Sequence, residues 1–158
     1  MVEAKEKTEK QSKERKLVAV IRISGMIKVR KDMASTLDRL RLRRKYSCVI
    51  VDMNDVNIKG MLDKIKFYVA YGEIDDETME KLVKERGESV QGRKMDVKLS
   101  ASEVVKGLRD GKKLSDLGLK EFFRLHPPRG GIDSKIQYPK GVLGNNKKDI
   151  NQLIGRMV

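Results

Sequence analysis

The chain has no tryptophan, one cysteine, one histidine and three prolines among 158 residues, and aromatic side chains make up only 4% of it. The lone Cys48 excludes an intramolecular disulfide and fits a reducing compartment. It lies in the apolar run Cys48-Val49-Ile50-Val51, which predicts a buried, inert thiol. One histidine and one cysteine far apart in sequence leave no ligand set for a structural zinc ion. No apolar run approaches the roughly 18 residues needed to span a bilayer. Lys and Glu alternate near the N-terminus, where a signal peptide would place an apolar stretch. With so few aromatics, stacking platforms for single-stranded bases are scarce.

Positive charge is what the chain has in excess. Thirty-six Lys and Arg face 23 Asp and Glu, a net charge of +13. At 39% hydrophobic the chain can still bury a core, so the excess must sit on a folded surface. Its natural partners there are nucleic acid or anionic lipid.

Three segments follow from pattern. Residues 1–15 alternate acid and base with little that is apolar, and read as a solvated tail, disordered or ordered only on RNA. Residues 16–74 read β-α-β-α-β. Leu17 to Ile23 is a β-branched apolar strand with Arg22 on its less buried face. Asp32 caps a helix with Met33, Leu37 and Leu40 inward. Ser47 to Val51 is a second strand and Tyr68 to Gly72 a third. Between them, Ile58, Met61, Leu62 and Ile65 form one apolar helical stripe behind Asp55 as N-cap. Gly60 sits off that stripe in mid-helix, where it costs about 1 kcal/mol relative to alanine. Lys59 beside it suggests that an anionic visitor lies against this turn.

Residues 75–158 read as a mainly helical extension. A helix begins at Asp75 or Asp76, a polar loop occupies 88–96, and Ser100 to Glu103 forms a capping box before a helix closed by Gly111. Asp149 to Met157 is a last helix with Ile150, Leu153 and Ile154 inward. Between them, Arg124-Leu125-His126-Pro127-Pro128-Arg129-Gly130-Gly131 makes a basic loop in which prolines fix φ and glycines permit close backbone approach.

No catalytic constellation emerges. His126 has no neighbouring nucleophile, and neither Gly130-Gly131 nor Gly141 to Gly144 has the spacing of a nucleotide-binding loop. No cofactor or metal is expected. Basic residues instead concentrate in four runs: Lys28 to Lys31, Arg39 to Lys45, Lys59 to Lys64 and Arg124 to Arg129. Five cations from Arg39 to Lys45 exceed what a helix dipole explains, at a few tenths of a kcal/mol each. Recognition of folded RNA by backbone and shape fits this supply of side chains.

The run from Leu17 to Ile74 resembles the large-subunit ribosomal protein thirty family, called seven in eukaryotic numbering. The residues that carry it are Lys28-Val29-Arg30-Lys31, Leu40-Arg41-Leu42, and Asn57-Ile58-Lys59-Gly60-Met61-Leu62 with Lys64-Ile65. Phe123 to Gly131 and Asp149 to Ile154 with Arg156-Met157 resemble the closing motifs of its long archaeal and eukaryotic branch. The resemblance implies an α+β fold whose three-stranded sheet is antiparallel with two helices on one face, where bare β-α-β units would default to parallel crossovers. It implies a cytoplasmic, ribosomal protein that is not an enzyme. Its partners would be large-subunit ribosomal RNA, the 5S ribosomal RNA nearby and neighbouring ribosomal proteins, with no membrane or small-molecule substrate. Carried over by motif, the RNA contacts are Lys28, Arg30, Lys31, Lys59, Gly60, Arg124, Pro127, Arg129 and Gly130. Charge adds Arg39, Arg41, Arg43, Arg44 and Lys45, and Arg22, Lys64, His126 and Gly131 complete the candidate set. The alternative is a free-standing RNA- or DNA-binding regulator on the same scaffold.

Overall fold

Strand β1, Leu17–Arg22, has all six residues buried. A strand buried without alternation must be covered on both faces, and two separate cores do this. Val18 and Val20 point into a cluster with Leu37, Leu42, Leu62 and Ile65. Leu17, Ala19 and Ile21 point into a larger one with Met79, Leu82, Val104, Phe123 and Ile154. The computed structural model describes residues 15–90, 100–132 and 134–158. The expectations for the tail up to residue 14 and for most of the 88–96 loop lie outside the described residues.

Helices α1 (Lys31–Arg39) and α2 (Val56–Ile65) cover the first face. The Asp55 carboxylate caps α2 by accepting from Asn57 N at 2.9 Å. The cap expected of Asp32 is not made: α1 begins two residues earlier than that cap would place it, behind Arg30, and Asp32 lies within its first turn. There the carboxylate still favours the positive end of the helix. Helices α3 (Asp76–Arg86), α4 (Ala101–Asp110) and α5 (Ile150–Met157) cover the second face. The capping box on α4 is complete, Ser100 Oγ accepting from Glu103 N and Glu103 Oε2 from Ser100 N.

The expected antiparallel trio is the centre of the sheet. Strand β2 (Ser47–Asp52) and strand β3 (Val69–Glu73) both run antiparallel to β1, with Cys48 and Ala70 on either side of Ile21. The sheet is nonetheless five-stranded and mixed, which corrects the three-stranded expectation. Two two-residue strands extend it, β4 (Phe123–Arg124) antiparallel to β2 and β5 (Gly144–Asn145) parallel to β3. So short a strand carries no periodicity, and both fall in stretches rich in loop residues. Cys48 is fully buried between β1 and β4, and desolvation pushes its thiol up to about 12.

Candidate nucleic-acid interface

Strand direction decides where the basic runs go. β1 ends at Arg22, beside the start of β2 and the start of β3. β4 lies on the far side of β2 from β1, runs in the same direction as β1, and ends at Arg124, opposite Ser47. The loops that leave β1 and β4, and those that enter β2 and β3, therefore all open at one end of the sheet. Main-chain hydrogen bonds stitch them together: Tyr46 N donates to Arg22 O, Ile23 N and Ser24 N to Tyr68 O, and Leu125 N to Tyr46 O, at 2.7–3.1 Å.

The sequence reading places Arg22 on the RNA surface, and the structure turns it inward. It is only 3% exposed. Its Nε donates to Ser24 O and its Nη2 to Gly25 O, while Nη1 donates to Leu42 O and Arg43 O, at 2.7–3.1 Å. Burial lowers its pKa below the ordinary arginine value, opposed in part by Asp38. One guanidinium thus ties the loop carrying Lys28, Arg30 and Lys31 to the loop carrying Arg41, Arg43, Arg44 and Lys45. Arg22 orders the basic end from inside it.

The cations around that tie are outward. Lys28, Arg30, Lys31, Arg39, Arg43, Arg44 and Lys45 are all exposed. Among the described residues Arg30 pairs with Asp32, at 3.6 Å on the open surface, an ion pair worth about 0–1 kcal/mol. Arg41 is committed more firmly, its Nη2 lying 2.8 Å from Glu121. Lys28, Arg41 and Tyr46 hold left-handed φ values of 60–64°, which non-glycine residues adopt only where surrounding structure enforces them.

The loop after β4 joins this end and is fastened to the end of α5. His126 N donates to Met157 O and Arg129 N to Arg156 O, each at 3.1 Å. Both ring nitrogens of His126 face main-chain oxygens, Nδ1 at 2.6 Å from Pro127 and Nε2 at 2.8 Å from Val158. His126 is a strut of the loop. Arg124, Pro127, Arg129, Gly130 and Gly131 stay exposed, the two glycines with φ of 82° and 76°.

Sequence reasoning missed an aromatic component. Lys45 lies over Tyr46, Lys66 over Phe67 and Arg124 over Phe122, with cation-to-centroid distances of 4.9, 5.6 and 5.7 Å. Phe67 is exposed, as are Met26 and Ile27 in the loop leaving β1. The few aromatics of the chain are thus partly gathered where the cations are. Lys66 and Phe67 could have been found as a cation–aromatic pair at the end of a predicted helix.

Lys59 and Gly60 are not brought to this end. They lie in the middle of α2, exposed, while Lys64 sits in its last turn. A Cβ built on Gly60 meets nothing within 4 Å. Gly60→Ala is therefore expected to stabilise the free protein by about 0.5–1 kcal/mol through the unfolded chain and the helix. Thermal melting would show this as a rise of roughly 1–4 °C.

Among the described residues, no cluster of three or more His, Cys, Asp or Glu could hold a metal ion, and no helix is long and apolar enough to cross a membrane.

Residues 18–69, from the first strand to the start of the third, match the family model described as Ribosomal protein L30p/L7e. Curated relatives extend the match over most of the chain. A protein of Archaeoglobus fulgidus named large ribosomal subunit protein uL30 is 38% identical over 154 residues, 89% of this chain and 99% of its own. Proteins of the same name from Staphylothermus marinus and Hyperthermus butylicus are 39% and 38% identical. Those matches cover 90% and 97% of this chain, and 98% and 96% of the relatives. At such identity and coverage, the chain belongs to the ribosomal protein L30p/L7e family.

Proposed function

We propose that the chain is a structural protein of the large ribosomal subunit, not an enzyme. In this reading it binds large-subunit ribosomal RNA through the basic end of its sheet and lies beside the 5S ribosomal RNA. The observation that carries it is the convergence of three basic loops, separated by up to a hundred residues in sequence, at one sheet end. Lys28 and Arg30 come from one loop, with Lys31 at the start of α1 directly behind it, Arg43, Arg44 and Lys45 from a second, Arg124 and Arg129 from a third. Arg39 and Lys64 extend the surface along α1 and α2, and the loop glycines let backbone approach closely. Phosphates are its natural ligands: each one neutralised releases counterions, whatever the base sequence. Left-handed loops held by internal hydrogen bonds present these cations at fixed positions, which suits the shape of folded RNA better than its sequence.

The expected result is a steep salt dependence. With on the order of six to ten phosphate contacts, affinity for a large-subunit RNA fragment falls by roughly 10³–10⁵ between 50 and 200 mM salt. Filter binding across a salt series measures it, with 5S ribosomal RNA as a separate arm. A flat profile would remove the electrostatic basis of the reading. Sedimentation of a cell lysate separates the ribosomal reading from a free-standing regulator, since only a subunit component travels with large subunits through moderate salt.

A further inference from the structure

The outer edge of β2 is covered for only part of its length. β4 pairs with Ser47 and Cys48 and goes no further. From Val49 to Asp52 the strand has β1 on one side and, among the described residues, no strand on the other. Neighbouring bonds fix which way each main-chain group points. Met53 N donates to Lys16 O on the β1 side, and Leu125 N to Tyr46 O on the β4 side. In an antiparallel ladder alternate residues turn their N–H and C=O to alternate sides. Val49 and Val51 therefore face β1, while Ile50 and Asp52 face outward. The Asp52 carbonyl accepts from Asp55 N at 3.3 Å. The N–H and C=O of Ile50 and the N–H of Asp52 have no hydrogen-bond partner among the described residues.

This open edge lies in a groove of about 510 Å³. Leu40 and Ile58 wall it on the side of α1 and α2, Leu108 and Leu114 on the side of α4. The carboxylates in its lining are all engaged. Asp52 stands 4.0 Å from Arg15, Glu121 stands 2.8 Å from Arg41, and Asp55 caps α2. Lys112 and Lys113, just past the end of α4, also line the groove and are exposed. Neither makes an ion pair among the described residues.

We propose that this groove docks an extended segment of another large-subunit protein, which joins the sheet as a further strand beside β2. An unpaired strand edge is a template for another main chain. Ile50 and Asp52 present their groups about 7 Å apart, the two-residue repeat of a strand, which a second strand matches with donors and acceptors in turn. Phosphates accept but do not donate, so a nucleic-acid backbone held by its phosphates would leave the Ile50 carbonyl unanswered. The apolar walls take alternate side chains of the segment. Lys112 and Lys113 select one that carries an acidic residue beside its apolar ones. This deepens the ribosomal reading, on which it rests for the source of the segment, by naming the chemistry of a protein partner.

The test probes the full chain with twelve-residue peptides tiled over the other large-subunit proteins of its source organism. Peptides that bind are expected to alternate apolar residues and to carry an acidic one. N-methylation of one alternate set of their amides should cost at least tenfold in affinity, and of the other set less than twofold. Ile50→Pro removes an outward N–H, which an edge strand tolerates. It should cut peptide binding at least tenfold, with circular dichroism unchanged and affinity for a large-subunit RNA fragment held within twofold. Lys112→Ala/Lys113→Ala should cost at least threefold with acidic peptides and nothing once their acids are replaced by amides. Hydrogen exchange gives a reading on the wild type alone: the Ile50 amide should exchange at least a hundredfold faster than those of Val49 and Val51, and slow at least tenfold with a bound peptide. Absence of any binding peptide would overturn the proposal, as would binding indifferent to both N-methylated sets. An Ile50 amide already protected in the free chain would mean that the chain itself or a second copy covers the edge, and would overturn it too. So would displacement of every peptide by the RNA fragment, which would assign the groove to nucleic acid. Peptide binding by a wild type that fails to hold RNA would support the groove and remove the RNA-binding reading alone.

Discussion

Arg22→Ala is expected to lower the stability of the protein by about 3–5 kcal/mol, because it leaves several carbonyl oxygens without their donor and empties a buried space. Four carbonyls now accept from this guanidinium: Ser24, Gly25, Leu42 and Arg43. The Leu42 bond is buried and is also the shortest, at 2.7 Å. Against a total of about 5–15 kcal/mol for a domain, such a loss is a large share. Arg22→Lys keeps the positive charge but replaces a planar fork with a point donor, which cannot reach both loops at once. It should recover less than half of the loss. Urea denaturation of the three proteins measures this, and an alanine variant within 1 kcal/mol of wild type would contradict the tie. RNA affinity should fall more than stability explains, because Lys28, Arg30 and Lys31 are no longer held in register with Arg43, Arg44 and Lys45.

That Arg22 faces inward was not legible in the sequence, for a physical reason. An arginine closing an apolar strand reads as the strand's wet face, since no acidic side chain nearby in sequence offers it a partner. Its partners at Leu42 and Arg43 are twenty residues away and become neighbours only once α1 returns the chain to the sheet. The central strands and α2 were legible because burial on one helical stripe or on a short β-branched run leaves a period in the sequence. β1 also held a sign that was not used. Leu17 to Arg22 shows no alternation, and such a run calls for cover on both faces, which is the work done here by α3, α4 and α5.

Strand direction mattered most for the site. With parallel crossovers, the chain would leave β1 at one end of the sheet and enter β2 at the other. The basic runs at Lys28 to Lys31 and at Arg41 to Lys45 would then stand apart. Antiparallel order, which came from the resemblance and not from the pattern, is what brings them together. It also separates Lys59 from them, since α2 climbs from the opposite end. Composition could count the cations but could not sort them by their end of the sheet.

Gly72→Ala is expected to do the reverse of Gly60→Ala, although the two substitutions are chemically identical. At Gly60 the added methyl meets nothing within 4 Å. At Gly72 it would stand 2.2 Å from Lys147 O and 2.9 Å from two carbons of Ile150. The first obstacle is main chain, so no rotamer change relieves it. Either β3 or the turn at Lys147–Asp149 must move, and the turn is joined directly to α5, whose Ile150, Leu153, Ile154 and Met157 are all buried. Overpacking of this kind costs about 3 kcal/mol, and here it strains the docking of a whole helix. Two hydrogen bonds at its start should report the shift, Asp75 N to Asn151 Oδ1 at 3.0 Å and Asn151 Nδ2 to Glu73 O at 3.2 Å. Hydrogen exchange at the Asp75 amide is therefore expected to rise in Gly72→Ala and to stay at the wild-type rate in Gly60→Ala. The contrast is strict: a Gly72→Ala protein as stable as wild type would mean that the turn does not rest on β3.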